Sequence, residues 1–323
     1  MVCLESLPAE LMLCILESLL DLKALDALQR SSIASAAVFS RYAPEILELV
    51  MAASLHIDTA VAIRIYVLLV ADRHRSSQHD LESLRTIAEA PIDPRISPDV
   101  ILEALSTFTY LNTLCYEVAI DKLEKLYALP HRHSRRGELR RPQDYDRSDG
   151  IEFEVPDPGS LAWIEEQRIM KSLFELRSRG LLNLGPETPE NAHSHYIVDA
   201  FSMVVQCQEL FKDHLDSIMH ADIPQECSWN APAVIPNSET GNQFHDSQNM
   251  ESSYGWFNYH AWCVRGGLTP LKAEDWPYFR ELGLGIWSFR RLVEDLRLVE
   301  DTIQDRPVFR QDMRFAWWSL KEG

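Results

Sequence analysis

The sequence predicts an all-α fold, and three observations carry that prediction. Apolar residues recur at helical spacing along most of the chain, as in Leu11, Ile15 and Leu19, with Met12, Leu16 and Leu20 beside them. Helix-start signals precede several of these stretches. The strongest is Ser97-Pro98-Asp99, where a cap, a first-turn proline and an acid coincide. No convincing run of alternating strand-type residues occurs, and the one short candidate, Ile151–Val155, lies in a polar stretch.

Taken in order, Pro8 suits the first turn of the first helix, with Glu10 placed against the positive end of its dipole. Asp21 is the expected N-cap of a second helix carrying Leu22, Leu25 and Leu28. Ser31 or Ser32 caps a third, through Ile33, Ala37 and Phe39. Pro44 is expected to open a fourth, with Ile46, Leu49, Val50 and Ala53 on one face. Thr59 is expected to cap the next helix, which runs through Ala71. Residues 72–80 read as a loop, and Leu81, Leu84, Ile87 and Ala88 mark a short helix ended by Pro91 and Pro94. The pattern after Ser97 runs to about Leu129.

From Pro130 to Pro158 apolar residues thin out while charge, proline and glycine accumulate. Ser160 is expected to cap a helix with Trp163, Ile164, Met170, Leu173 and Phe174, ended by Gly180 or Gly185. Tyr196–Met219 reads as one helix. Residues 221–253 are irregular and rich in Pro, Asn, Ser and Gln. An aromatic cluster follows at Trp256, Phe257, Tyr259 and Trp262. A last long helix is expected from the seam Leu282, Ile286, Phe289, Leu292, Leu296, Val299 and Ile303, before Phe309, Phe315, Trp317 and Trp318. These breaks divide the chain into a module at 1–54, a helical region at 55–130, a polar linker or long loop at 131–159, and a C-terminal helical domain at 160–323.

Composition narrows the function classes. Of 323 residues, 46% are apolar and 25% charged, the balance of a globular chain able to bury a sizeable core. The net charge of −18 disfavours nucleic acid and anionic membrane surfaces as partners. No glycine-rich phosphate loop, signal peptide or bilayer-length apolar run is visible, so a cytoplasmic or nuclear location is expected. The six cysteines contain no CxxC pair and read as reduced, mostly buried thiols.

Four constellations have bland readings that outweigh the chemical ones. The basic run His131–Arg141 is diluted by Glu138, Asp144, Asp146 and Asp149, and reads as a solvated loop. The pairs His131/His133 and His193/His195 lack further ligands at zinc spacing. His260 and Cys263 lack an orienting third group. Glu274-Asp275 reads as a helix-start acid pair. No catalytic motif, cofactor or metal site is expected, and the chain reads as a non-enzyme.

The first 53 residues carry an ordered set of features: Leu7-Pro8-Ala9-Glu10-Leu11, then Ile15-Leu16, Leu19, Asp21-Leu22, Leu25 and Leu28, then Ser31, Phe39 and Ile46-Leu47. In that order they resemble the F-box-like domains at the start of many filamentous-fungal proteins. Arg168-Ile169-Met170-Lys171-Ser172-Leu173-Phe174 is similar to a stretch in the helical C-terminal parts of such proteins. Two departures stand out. No Trp precedes Trp163, and Ser31 is followed by Ser32 rather than proline. The resemblance implies a target-recruiting subunit of a cullin-RING ubiquitin ligase that docks on a Skp-type adaptor protein. The docking positions it implies are Leu7, Pro8, Leu11, Ile15, Leu16, Leu19, Leu22 and Leu25. The alternative is a helical scaffold or regulatory protein in which the module is structural only.

Overall fold

A computed structural model describes residues 4–73, 81–129, 131–133, 151–152, 155, 159–184, 203–220, 276–288, 291–292, 296 and 320. The described chain is all-α, as the helical periodicity predicts. Its helices are α1 (Ala9–Glu17), α2 (Leu22–Ser31), α3 (Ile33–Ser54), α4 (Ile57–Asp72), α5 (Leu81–Ala88), α6 (Pro98–Ala128), α7 (Trp163–Leu181), α8 (Met203–Leu210), α9 (Leu215–His220) and α10 (Trp276–Glu281). A two-residue antiparallel pairing joins β1 (Arg132–His133) to β2 (Ile151–Glu152), with Arg132 opposite Glu152. The short strand candidate therefore forms at Ile151–Glu152, while residues 153–154 lie outside the described set.

The chain divides into two compact units. The first comprises Met1–Tyr116, Met170–Pro186 and Asp213–Ser238, and the second comprises Glu117–Ile169, Glu187–Lys212 and Glu239–Gly323. Both α6 and α7 contribute residues to each unit.

In the first unit, α1 and α2 both pack on α3. Met12 and Leu16 of α1, Leu22 and Leu25 of α2, and Phe39, Ile46, Leu47 and Val50 of α3 are buried. Asp21 caps α2 by accepting from the Lys23 N–H at 3.0 Å, as its position before the apolar repeat predicts. Ser32 caps α3 by accepting from the Ser35 N–H at 3.1 Å. Pro44 opens a further helical segment, as expected: α3 breaks at Tyr42 (φ −128°, ψ 24°), and Pro44 lies in the first turn after the break, where a proline costs no hydrogen bond. The next cap differs from expectation. His56 caps α4 by accepting from the Asp58 N–H at Nδ1, while Thr59 is buried within the helix.

Beyond α4, Ile65, Leu69, Leu84 and Ala88 form a cluster joined by Leu181 and Leu182 at the end of α7. The Phe174 ring meets Tyr66 edge-on at 5.6 Å and stacks on Phe108 at 6.4 Å. Gly180 lies inside α7, where a Cβ would overlap the Met219 backbone of α9. The helix ends just beyond, at Leu181, with Asn183 in the left-handed region (φ 54°).

In the second unit, the start of α7 is fixed by Glu165, which accepts from the Ala162 N–H at 3.0 Å, and not by a cap at Ser160. The expected single helix over Tyr196–Met219 is broken by a 3-10 turn at Lys212–His214, and its first residues lie outside the described set. The expected long helix from Leu282 is also corrected over its first turns. Residues 282–286 form turns, with Gly283 at φ 78° and the Trp287 ring folded back so that its Nε1–H donates to the Leu282 carbonyl at 3.0 Å, whereas Arg291 and Leu292 further along the seam are helical, the Leu292 N–H donating to the Ser288 carbonyl at 3.1 Å. A side chain at Gly283 would strike that ring, so the helical spacing here reports burial of a turn rather than a helix seam. The expectations for residues 74–80, 221–253, 256–262 and 297–319 fall outside the described residues.

Candidate functional site

The N-terminal module builds a ridge from α1. Leu7 and Pro8, then Leu11, then Cys14 and Ile15 succeed each other at spacings of three or four residues, which places them along one side of the helix. Leu11 is 52% exposed, Pro8 and Cys14 are exposed, and Leu7, Ile15 and Leu19 are half-buried. Met12 and Leu16, one residue further round the helix, are fully buried. Helix α1 is thus apolar on two sides, and only one of them is consumed by the module. Leu4, Leu20 and Ile33 add further exposed apolar surface within the same module.

Leu16, Leu22 and Leu25 are packed inside. They support the ridge and do not present a surface, so the accessible subset of the implied docking positions is Leu7, Pro8, Leu11, Ile15 and Leu19.

The polar side of α2 is buried against α6. Asp26 accepts from Thr109 Oγ1 at 2.9 Å, from Arg30 Nε at 2.9 Å and from Gln29 Nε2 at 3.3 Å. Arg30 also donates to Ser106 Oγ. The Lys23 ammonium lies over the Tyr116 ring at 4.9 Å. Sequence reasoning misses these charged residues on α2. The i, i+4 spacing of Asp26 and Arg30 is a local signal, but nothing local announces α6 as the partner.

A second buried joint ties α3 to α4 and to the segment after α5. Glu48 accepts from Arg64 Nε at 2.8 Å and Nη2 at 2.6 Å, and from the Ile92 N–H at 2.9 Å. Arg64 Nη1 also donates to the Ala88 carbonyl. The bidentate fork fixes the second half of α3 against both neighbours. Through these two joints the module carrying the ridge is tied to α6, α4 and the segment after α5 within the first unit.

The other chemistry weighed in the sequence meets a sparse picture. His131 is buried with its Nε2 against the Leu126 carbonyl at 3.0 Å, and burial holds its pKa below the ordinary histidine range. No cluster of metal-type ligands occurs among the described residues. His193, His195, His260, Cys263, Glu274 and Asp275 lie outside them. Cys115 and Cys207 are buried, whereas Cys14 is exposed on the ridge. Among the described residues no helix is long and apolar enough to cross a membrane.

No family model, no curated protein and no solved structure matches this chain.

Proposed function

We propose that the chain is an F-box-type adaptor whose N-terminal module docks a Skp-type subunit of a cullin-RING ligase, leaving the rest of the chain to engage a protein target. The observation that carries this reading is the two-sided apolar character of α1. Met12 and Leu16 close the module's core, while Leu11 stands 52% exposed beside Pro8. An apolar ridge with a polar surround suits a helical partner surface, where a few well-packed anchors supply most of the affinity. The sequence order Leu7-Pro8, Leu11, Ile15-Leu16 supports the same reading. The burial of Leu16, Leu22 and Leu25 favours the scaffold alternative, in which the module is structural only.

The test is association of the full chain with a purified Skp-type adaptor, comparing wild type with Leu11→Glu and with Leu7→Ala/Pro8→Ala. Docking through the ridge requires a complex with wild type and its loss in Leu11→Glu, with helix content and unfolding midpoint retained. Absence of a complex with wild type would leave the module a structural scaffold element.

A further inference from the structure

The first turn of α3 is capped from a distance. The first N–H groups of a helix have no partner within it and must find one elsewhere. Here the Ser35 N–H is taken by Ser32 Oγ at 3.1 Å. The Ile33 N–H goes to Glu5 Oε1 at 3.1 Å and the Ala34 N–H to Glu5 Oε2 at 3.0 Å. Both carboxylate oxygens of Glu5 are engaged, so the group's orientation is fixed as well as its position. Ile33 lies 28 residues from Glu5 in sequence.

Glu5 sits at the centre of the 3-10 turn Leu4–Ser6, which is closed by the Leu7 N–H donating to the Leu4 carbonyl at 3.1 Å. Leu7 is followed by Pro8, the N-cap residue of α1. The turn itself buries no residue. Its side chains therefore give it little packing energy, and the charge-assisted bonds of Glu5 tie it to α3. They bring the backbone of Leu4, whose side chain is 42% exposed, to the first turn of the helix where Ile33 is 84% exposed.

We propose that Glu5 is a positioning residue: its carboxylate latches the Leu4–Ser6 turn onto α3, so that Leu4, Leu7 and Ile33 extend the Leu11 ridge as one prearranged docking surface. The importance of that surface for an adaptor rests on the proposed docking function, but the latch itself does not. A prearranged turn avoids the cost of ordering this segment during binding. The α3 terminus is here filled by the chain's own side chain and is no site for an external anion.

Hydrogen exchange on the full chain tests the latch, with wild type, Glu5→Gln and Glu5→Ala compared at Leu7, Ile33 and Ala34. The expected result is exchange about tenfold faster at all three amides in Glu5→Ala. Glu5→Gln should be intermediate, because one amide oxygen replaces two carboxylate oxygens. Amides in the second half of α3, at Val50 and Met51, should be unmoved. Unchanged exchange at Ile33 and Ala34 in Glu5→Ala would overturn the latch. Faster exchange there with Leu7 unaltered would reduce Glu5 to a helix cap and overturn its positioning role. A second arm measures affinity for the Skp-type adaptor, where Glu5→Ala should weaken binding about tenfold. An undiminished affinity also overturns the positioning role. If the wild-type chain fails to bind, the docking function fails, and the latch stands or falls on exchange alone.

Discussion

Glu5 and Glu165 perform the same backbone task in opposite surroundings. Each carboxylate accepts two main-chain N–H groups, from Ile33 and Ala34 in the first case and from Ala162 and Ser288 in the second. Glu165 is completely buried, and Arg291 answers its charge with Nε at 2.8 Å and Nη2 at 2.9 Å. Arg291 in turn donates to the Ser160 carbonyl and the Tyr127 hydroxyl. Burial acts to raise the Glu165 pKa, but the Arg291 charge and the hydrogen bonds outweigh it and hold the carboxyl below its ordinary range. Glu5 is exposed, and its bonds come from backbone N–H groups. The Ala34 N–H, the Ser32 side chain and the Ile33 N–H suffice to lower its pKa, helped by the positive end of the α3 dipole. A buried carboxylate with a countercharge locks a fold. An exposed one at a helix start can organise a surface while leaving the core indifferent to its loss.

The largest expected effect is therefore at the buried pair. Arg291→Met leaves Glu165 buried without its cation and is expected to destabilise the second unit by about 3–5 kcal/mol. Replacing both partners, as Arg291→Met/Glu165→Leu, should recover much of that loss, because an apolar pair of similar volume carries no desolvation penalty. Urea unfolding of the three proteins measures this. A single-variant loss below about 1 kcal/mol would mean that the pair is not the lock its geometry implies.

An intermediate effect separates the two sides of α1. Leu16→Ala empties a fully buried position and should cost about 2–5 kcal/mol. Leu11→Ala removes a side chain that is 52% exposed and should change stability by about 0.5 kcal/mol or less. Equal losses at the two positions in denaturant unfolding would show that Leu11 is covered, and the ridge would cease to exist as a surface.

What the sequence discloses obeys the same division between local and distant causes. Asp21 before α2, Ser32 before α3 and Ser97-Pro98-Asp99 before α6 are legible because a cap and the helix it serves are adjacent in the chain. The accessible side of α1 is half legible. Apolar spacing identifies Leu11 and Leu16 together, but which of them faces α3 depends on packing that periodicity does not encode. Pro44 is legible for the same local reason as the caps: the backbone leaves helical geometry at Tyr42 and the proline sits in the first turn of the segment that follows. Only the start of the seam from Leu282 misleads, because Gly283 adopts a left-handed conformation and Trp287 folds back over it, a burial pattern that mimics helical spacing. Glu5, Glu48 and Glu165 escape sequence reasoning altogether. Ile33, Arg64 and Arg291, which they engage, lie 28, 16 and 126 residues away, beyond any window in which residue spacing carries information; of their bonds only that from the Ala162 N–H to Glu165 is local.

The smallest effect on stability is the most direct reading of the exposed carboxylate. Because the folded-state pKa of Glu5 lies below the ordinary glutamate value of 4.5, the latch is complete above that value and is lost as pH falls through the folded-state pKa. Exchange at Ile33 and Ala34, corrected for the intrinsic pH dependence of amide exchange, should therefore accelerate only on the acid side of 4.5. In Glu5→Gln the corrected rates should be flat across the same window, since the amide does not titrate. Glu165 titrates on the acid side too, but its protonation unseats Arg291 and so appears as loss of the second unit, read at the amides of residues 163–169. Acid-induced exchange that begins at Ile33 and Ala34 while residues 163–169 stay protected would separate the surface latch from the core lock. Simultaneous opening of both would mean that the first turn of α3 has no independent stability and that Glu5 acts only as part of the global fold.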